Sequence, residues 1–258
     1  MLDFGIIAAG DGKRIKEEGS LLPKPLVEIE GRPMIYRLID LMVENGAKTV
    51  NVVVNENMTQ VIEALEKYNS ESSCRINFSP IKTPSSLYSF YRLVNLMKPT
   101  GKFVVSTVDA VCKTDEFKKF IECFRELPHG IDGLMGVTTY VNDEKALYIE
   151  TEGRHRIVSF LDKPFEGVKY VSAGIYGLQT SAFPVLQECV REFQNIDNSN
   201  SKLLNGNILH PDKPGYPRMR DFQRKLLEKG LNLDAFPMGR VVDVDHLEDI
   251  KDANSLLN

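Results

Sequence analysis

"IIAAGDGKRIKEEGSLLPKPLVEIEGRPMI", residues 6–35, begins as an apolar run, passes through two alanines and a glycine turn, and becomes apolar again only after a long charged loop. That loop carries Asp11, Lys13, Arg14, Lys16, Glu17, Glu18 and Lys24. A turn that only joins a strand to a helix is much shorter. The parts suit an anion: glycines let backbone N–H groups approach a phosphate closely, and Lys13 and Arg14 add charge. The common nucleotide motifs are nevertheless absent, because "GDGKRI" lacks the third glycine of a dinucleotide fingerprint and no GxxxxGK[ST] occurs. Taken alone, the glycines fit an ordinary strand-to-helix turn as well as a phosphate loop.

The tripeptide "PKP" shifts the balance toward the phosphate loop. Pro23 and Pro25 restrict the backbone on both sides of Lys24 and present it in a fixed direction, a frame that a solvated lysine does not need. If the loop does hold a phosphate, Lys24 and Arg14 would act on it and contribute nothing to the core.

Outward from this loop, β-branched apolar runs alternate with segments of helical period. Phe4 to Ala8 reads as a strand, Pro33 to Asn45 as a helix, Thr49 to Asn55 as a strand and Met58 to Tyr68 as a helix. The helix from Pro33 opens on proline, closes on "NGA", and carries Ile35, Leu38, Ile39 and Met42 on one face, as packing on a parallel sheet requires. "TVNVVVN" and "FVVSTVDAV" read as buried central strands.

Beyond Leu127 the pattern changes. "GLMGVTTYV", "ALYIETEG" and "RIVSFLD" alternate at period two around a turn at Gly153, which predicts antiparallel strands. A strand "YVSAGIYGL" precedes a helix from Ser181 to Phe193. Asn195 to Arg218 then forms a long polar stretch with three prolines and two glycines. A helix near Arg220 to Lys229, a strand "RVVDV" and a last helix "HLEDIKDANSLL", with Asp245 placed as its N-cap, complete the chain. No repeat or linker divides it, so one domain is expected over 1–258.

Composition limits the partners. The 258 residues are 42% hydrophobic and 26% charged, with 32 basic and 36 acidic side chains for a net charge of -4. No overall field would hold nucleic acid or an anionic membrane, so phosphate chemistry must use a local cluster. Cys74, Cys112, Cys123 and Cys189 lack CxxC spacing, which predicts reduced thiols in the cytoplasm. No membrane span or signal peptide is expected.

The stretch from Ile6 to Ile35 closely resembles the signature of nucleotidyltransferases with a glycosyltransferase-A-like fold, above all the sugar-1-phosphate nucleotidyltransferases. The resemblance implies an α/β architecture: a Rossmann-like mixed, mostly parallel central sheet with helices on both faces and a small antiparallel acceptor-side subdomain. Residues 1–130 would form the NTP-binding half, and 131–258 the acceptor-binding half with a C-terminal metal aspartate.

It also implies roles. Ala8, Ala9, Gly10, Gly12 and Lys13 would wrap the triphosphate, with Arg14 on its phosphates and Lys24 on the reacting one. Asp109, at the end of "FVVSTVDAV", matches the family's metal aspartate, although a turn or cap residue reads the same way. "RVVDVDHLEDIKDAN" resembles the segment that completes the metal site, giving Asp245 as ligand and Asp243 in support. Capping and ligation by Asp245 are not exclusive. "FLDKP" resembles an element in which the lysine, here Lys163, contacts the acceptor phosphate. A solvated hairpin lysine is its alternative. "VSAGIYGL" resembles the strand lining the sugar pocket, with Ser172 and Gly174 as acceptor contacts. "TPSSLYSFYRLVNLM" lies where relatives read the base, through Thr83, Ser85 or Ser86. Either serine could instead cap a helix whose Leu87, Phe90, Leu93, Val94 and Met97 form a core face.

The implied enzyme transfers NMP from an NTP to a phosphorylated small molecule, foremost a sugar-1-phosphate, with Mg²⁺ as cofactor and Mn²⁺ able to substitute. Its partners would be those two substrates, without nucleic acid or membrane, and a homo-oligomer is left open. The nucleophile is already an anion, which agrees with the absence of a triad-like pattern among His129, His155, His210 and His246. Two rivals stand: a phosphocholine-type cytidylyltransferase, for which Tyr148, Tyr170 and Tyr176 could offer an aromatic surface, and a non-catalytic nucleotide sensor. A nicotinamide-dependent oxidoreductase is disfavoured by the incomplete glycine fingerprint.

Overall fold

Phe4, Ile6 and Ala8 alternate along the first strand with Ile7, yet all four are buried, as happens when helices cover both faces of a sheet. A computed structural model of the chain describes residues 2–141, 144–200 and 216–258. The first half runs β1 (Asp3–Ala8), α1 (Lys13–Glu17), β2 (Glu28–Ile29), β3 (Arg32–Pro33), α2 (Met34–Glu44), β4 (Thr49–Val54), α3 (Thr59–Glu71), β5 (Arg75–Pro80), α4 (Ser86–Met97), β6 (Phe103–Thr107), β7 (Ala110–Val111) and α5 (Thr114–Arg125). The second half continues with β8 (Gly133–Thr138), β9 (Tyr148–Glu152), β10 (Arg156–Leu161), β11 (Tyr170–Leu178), α6 (Phe183–Asn200), α7 (Met219–Glu228), β12 (Leu233–Pro237), β13 (Val242–Asp243) and α8 (Leu247–Leu257).

Among the described residues, a nine-stranded sheet has the order β5-β4-β1-β6-β11-β8-β12-β10-β9. β5, β4, β1 and β6 are parallel, β11 runs against β6 and β8, and β12 is parallel to β8. The expected mixed, mostly parallel sheet is therefore present. β9 and β10 form an antiparallel hairpin around Gly153, and β9 also pairs with β11. β8 is not the neighbour of that hairpin as its alternation suggested: it lies between β11 and β12. The strand "LDAFP" of β12, interrupted by Asp234, carries no clear period-two signal, and its insertion separates β8 from β10.

Each face of the sheet has its own core. α2, α3 and α5 pack Ile35, Leu38, Val61, Leu65, Phe117 and Phe120 on one side. α4, α6 and α7 pack Phe90, Leu93, Val185, Phe222 and Leu226 on the other. Fully burying such a side chain is worth roughly 1.5–3 kcal/mol. A third cluster joins Ile15, Val27, Ile29 and Met34 of the opening segment to Val111, Val242, Val244 and Ala253, which ties the charged loop to β7, β13 and α8.

Two boundaries differ from expectation. The helix expected over 181–193 runs from Phe183 to Asn200, so residues 195–200 of the polar stretch are helical, while 201–215 lie outside the described residues. Asp245 does not cap α8. The N-cap is His246, and the Asp249 carboxylate accepts from the backbone N–H groups of both His246 and Asp245, leaving the Asp245 side chain for other partners. No helix among the described residues is long and apolar enough to cross a membrane.

Candidate active site

β1 ends at Ala8 and delivers the chain to the loop edge of the sheet, where Gly12 adopts a left-handed φ of 59° before α1. Glycine is needed there twice over: a Cβ would be strained at that φ and would lie 2.9 Å from the Lys24 Cβ. Asn55, 2% exposed at the end of β4, donates to Asp11 Oδ1 at 2.8 Å and to the Ala9 carbonyl, and so fixes the loop from behind. Pro23 holds an extended backbone before a short 3-10 turn over Lys24–Leu26, the rigid frame expected from "PKP".

β7 and β13 pair antiparallel, with Asp243 opposite Ala110, and the Val244 N–H donates to the Asp109 carbonyl at 3.1 Å. This two-stranded ribbon brings Asp109, Asp243 and Asp245 together, with carboxylate oxygens within 4.8 Å of one another. Lys24 inserts between them. Its Nζ lies 2.5 Å from Asp109 Oδ2 and 2.5 Å from Asp245 Oδ1, while Arg14 pairs with the other Asp245 oxygen. Lys24 is 8% exposed, so it belongs to a buried ionic cluster and is not simply presented to solvent. The expectation that it contributes nothing to the interior is corrected here: the proline frame aims it inward, onto the carboxylates.

Burial alone would pull the Lys24 ammonium down, but Asp109, Asp243 and Asp245 outweigh it and hold the group well above the usual lysine range. Burial likewise pushes the Asp109 carboxyl up, and the contact with Lys24, with help from Thr107, brings it below the usual carboxylate range. A lowered carboxyl contributes stability that is complete above its unfolded value of 3.8 and is lost as pH falls through the lower folded value. The raised ammonium contributes stability that is complete below 10.5 and is lost as pH rises through its higher folded value. In chelator-treated protein, urea midpoints followed from about pH 5 to about pH 2 should therefore fall more steeply for the wild type than for Asp109→Asn. Parallel slopes would contradict the pairing.

Two cavities, each of about 480 Å³, meet at this cluster and share Arg14, Ser86, Thr107, Asp109 and Asp245. The first is bounded by Ala8, Ala9, Gly10, Gly12 and Lys13 on the loop and by Thr83 and Ser86 opposite, with Lys24 at its floor. All the residues expected around a nucleotide thus face one space. Ser85 caps α4 by accepting from the Tyr88 N–H, Thr83 and Ser89 hydroxyls lie 2.6 Å apart, and Ser86 Oγ accepts from the Met219 N–H at 3.0 Å.

The second cavity contains Ser172 and Gly174 on β11, beside a register shift in the β11–β8 pairing. At Gly174, φ is 72° and a Cβ would meet Thr107 Oγ1 at 2.5 Å, so only glycine lets β11 approach β6 here. Burial pushes the Tyr176 hydroxyl up to about 12, Ser172 opposes that through a hydrogen bond, and Asp243, Asp109 and Arg220 all lie close enough to act on it.

Lys163 is not brought to this cavity. It is exposed on the turn after β10, and its neighbour Asp162 bridges Arg220 at 2.5 Å and Arg224 at 2.8 Å. Among the described residues, the cations that line the cavity beyond Arg14 are Lys145, Arg218 and Arg220. "PRMRD", two arginines flanking the start of an amphipathic helix, was the available signal for the latter two. Tyr140 forms part of the wall, with the Arg240 guanidinium 4.0 Å from its ring centroid.

A glycine loop, two cavities and three convergent carboxylates at the loop edge of a mixed sheet define an α/β protein with a charged candidate site. Its family follows from comparison: the chain belongs to the family described as Nucleotidyl transferase, whose profile matches residues 5–255. Mannose-1-phosphate guanyltransferase of Aspergillus fumigatus is 32% identical over 181 residues, covering 68% of this chain and 49% of that protein. Bifunctional IPC transferase and DIPP synthase of Aquifex aeolicus is 29% identical over 196 residues, 75% of this chain and 43% of that protein. The chain thus spans about half the length of these relatives or less. Among solved structures, a putative glucose-1-phosphate thymidylyltransferase from Bacillus anthracis superposes with a TM-score of 0.77 at 16% identity, over 99% of this chain and 95% of that one. That likeness supports the fold.

Proposed function

We propose that this chain transfers a nucleoside monophosphate from an NTP to a phosphorylated acceptor, a sugar-1-phosphate, releasing pyrophosphate and forming an NDP-sugar. One observation carries the reading: the two cavities meet at Arg14, Asp109 and Asp245, with Lys24 against both carboxylates, so a triphosphate in one and a phosphate in the other would present their reacting atoms to the same charges. The names of relatives that act on mannose 1-phosphate and glucose 1-phosphate point the same way. On this reading residues 1–130 hold the NTP and 131–258 supply the acceptor pocket and Asp245, working as one unit. The free cysteines Cys74, Cys112, Cys123 and Cys189 suit the cytoplasm.

An acceptor phosphate oxygen attacks the α-phosphorus, the new P–O bond forms as the α–β bridging bond breaks, and the electron pair leaves on pyrophosphate. No proton need move. Arg14 and Lys24 hold the phosphates in place and neutralise the charge that develops in the transition state. Three carboxylates are a hard oxygen donor set, so Asp109, Asp243 and Asp245 fit Mg²⁺, or Mn²⁺ in its place. When bound there, the ion would add positive charge beside the reacting phosphates. Lys24, which lies against two of these carboxylates, would then turn from them to phosphate.

Lys145, Arg218 and Arg220 share the acceptor cavity with Asp109, Asp243 and Asp245, so it offers cations to an acceptor phosphate, and the Tyr140 ring in its wall already faces the Arg240 guanidinium. Pyrophosphate release should therefore be seen with a hexose 1-phosphate, an NTP and Mg²⁺, tested as a panel of nucleotides against hexose 1-phosphates and phosphocholine. Turnover of phosphocholine alone overturns the choice of acceptor, and nucleotide binding without release in any combination favours a sensor.

A further inference from the structure

The acceptor cavity contains a buried donor with no protein acceptor. Gln223 is 1% exposed and lines the cavity, and its amide nitrogen makes no hydrogen bond. Such a group lowers stability, whereas an apolar side chain of similar size would be neutral or favourable at the same place. Stability therefore gives no reason for an amide here, but a ligand oxygen in the cavity does.

Arg220 lies one turn earlier on α7, on the same helical face by its i, i+3 spacing, and lines the same cavity. Its Nη1 pairs with Asp162, and its Nη2 donates to the Lys145 carbonyl at 2.7 Å. Arg224 shares Asp162 and also reaches Asp221 at 3.4 Å, so Asp162 is divided between two guanidinium groups. Those bonds use two of the five N–H donors of Arg220 and hold its fork in place. Arg220 lines the same cavity as Asp109, Asp243 and Asp245, so its guanidinium and the carboxylate cluster border one space.

We propose that Arg220 and Gln223 together recognise the acceptor: the guanidinium takes the anionic oxygens of its phosphate, and the amide donates to a neighbouring acceptor oxygen. Arg220 thereby fills the role that the sequence motif suggested for Lys163. The proposal rests on the nucleotidyl-transfer reading for calling this ligand the acceptor, but binding can be measured without turnover.

The test is calorimetric titration of the intact chain with inorganic phosphate, glucose 1-phosphate and mannose 1-phosphate, with and without a non-hydrolysable NTP analogue. Arg220→Ala and Gln223→Leu should each weaken hexose 1-phosphate binding about tenfold or more. Gln223→Leu should at the same time raise the melting temperature of the ligand-free protein, an opposition of signs that a structural role would not produce. Asp162→Asn removes the negative charge but keeps an Oδ1 acceptor that can hold the Arg220 fork, and should bind the phosphate as tightly as the wild type or more so. Unchanged affinity in Arg220→Ala and Gln223→Leu overturns the proposal, as does a loss confined to Lys163→Ala, an equal loss in Asp162→Asn, or no binding by the wild type. Binding that depends on Arg220 and Gln223 without pyrophosphate release under any condition would remove the enzyme reading and leave this site standing. Release with acceptor affinity indifferent to both residues would do the reverse.

Discussion

Asp245→Ala is expected to keep its fold and lose metal-dependent turnover almost entirely, with a drop on the order of 10²-fold or more. Its carboxylate contacts Lys24 and Arg14 and lies within 4.8 Å of Asp109 and Asp243, so one substitution removes a ligand and loosens both cations. Asp109→Ala should behave likewise. The fold is expected to survive because α8 is capped through Asp249 and His246 and not through the Asp245 side chain. Circular dichroism and pyrophosphate release, each measured across a Mg²⁺ titration, separate the effects. A lower melting temperature with full activity in the folded fraction would reduce Asp245 to a structural role and leave the metal without this ligand.

Lys24→Ala should shift two measurements in opposite directions. Turnover should fall on the order of 10²-fold or more, because a preorganised charge beside the reacting phosphate is gone. Binding of Mn²⁺ in the absence of nucleotide, followed by its paramagnetic signal, should become tighter, because the ammonium that competes for Asp109 and Asp245 has been removed. Without metal the variant should be less stable by on the order of 3 kcal/mol, since breaking a buried ion pair leaves its partner charges uncompensated. Added Mn²⁺ should recover much of that loss. Near-normal kcat/KM would overturn the phosphate-clamp reading, and unchanged Mn²⁺ affinity would overturn the competition.

Much of the fold was legible because its signals are local. The β-branched apolar run in "TVNVVVN", the proline and "NGA" bounding α2, and the turn at Gly153 each express a backbone preference over a few residues. β12 was not legible, since "LDAFP" has no strong pattern and its place between β8 and β10 depends on distant partners. The nucleotide side of the candidate site was readable for the same reason as the helices. Gly12 and the prolines around Lys24 are local constraints, and the structure gives each of them a geometric cause.

The acceptor side depended on tertiary structure. "FLDKP" offers a lysine beside an acid, and nothing within the motif says that Asp162 will be drawn to Arg220 and Arg224, some sixty residues later, while Lys163 stays exposed. Nor does "HLEDIKDAN" reveal that Asp249 will serve the helix end and leave Asp245 to Lys24. By itself the sequence determined an α/β chain with a basic glycine loop and a lysine framed by prolines, because those features are written in contiguous backbone chemistry. Only the tertiary structure decided that Lys24 would be buried among carboxylates and that Arg220 and Gln223 would face the second cavity. Charges and amides far apart in the chain find their partners through strand register and helix packing, and those are properties of the whole sheet.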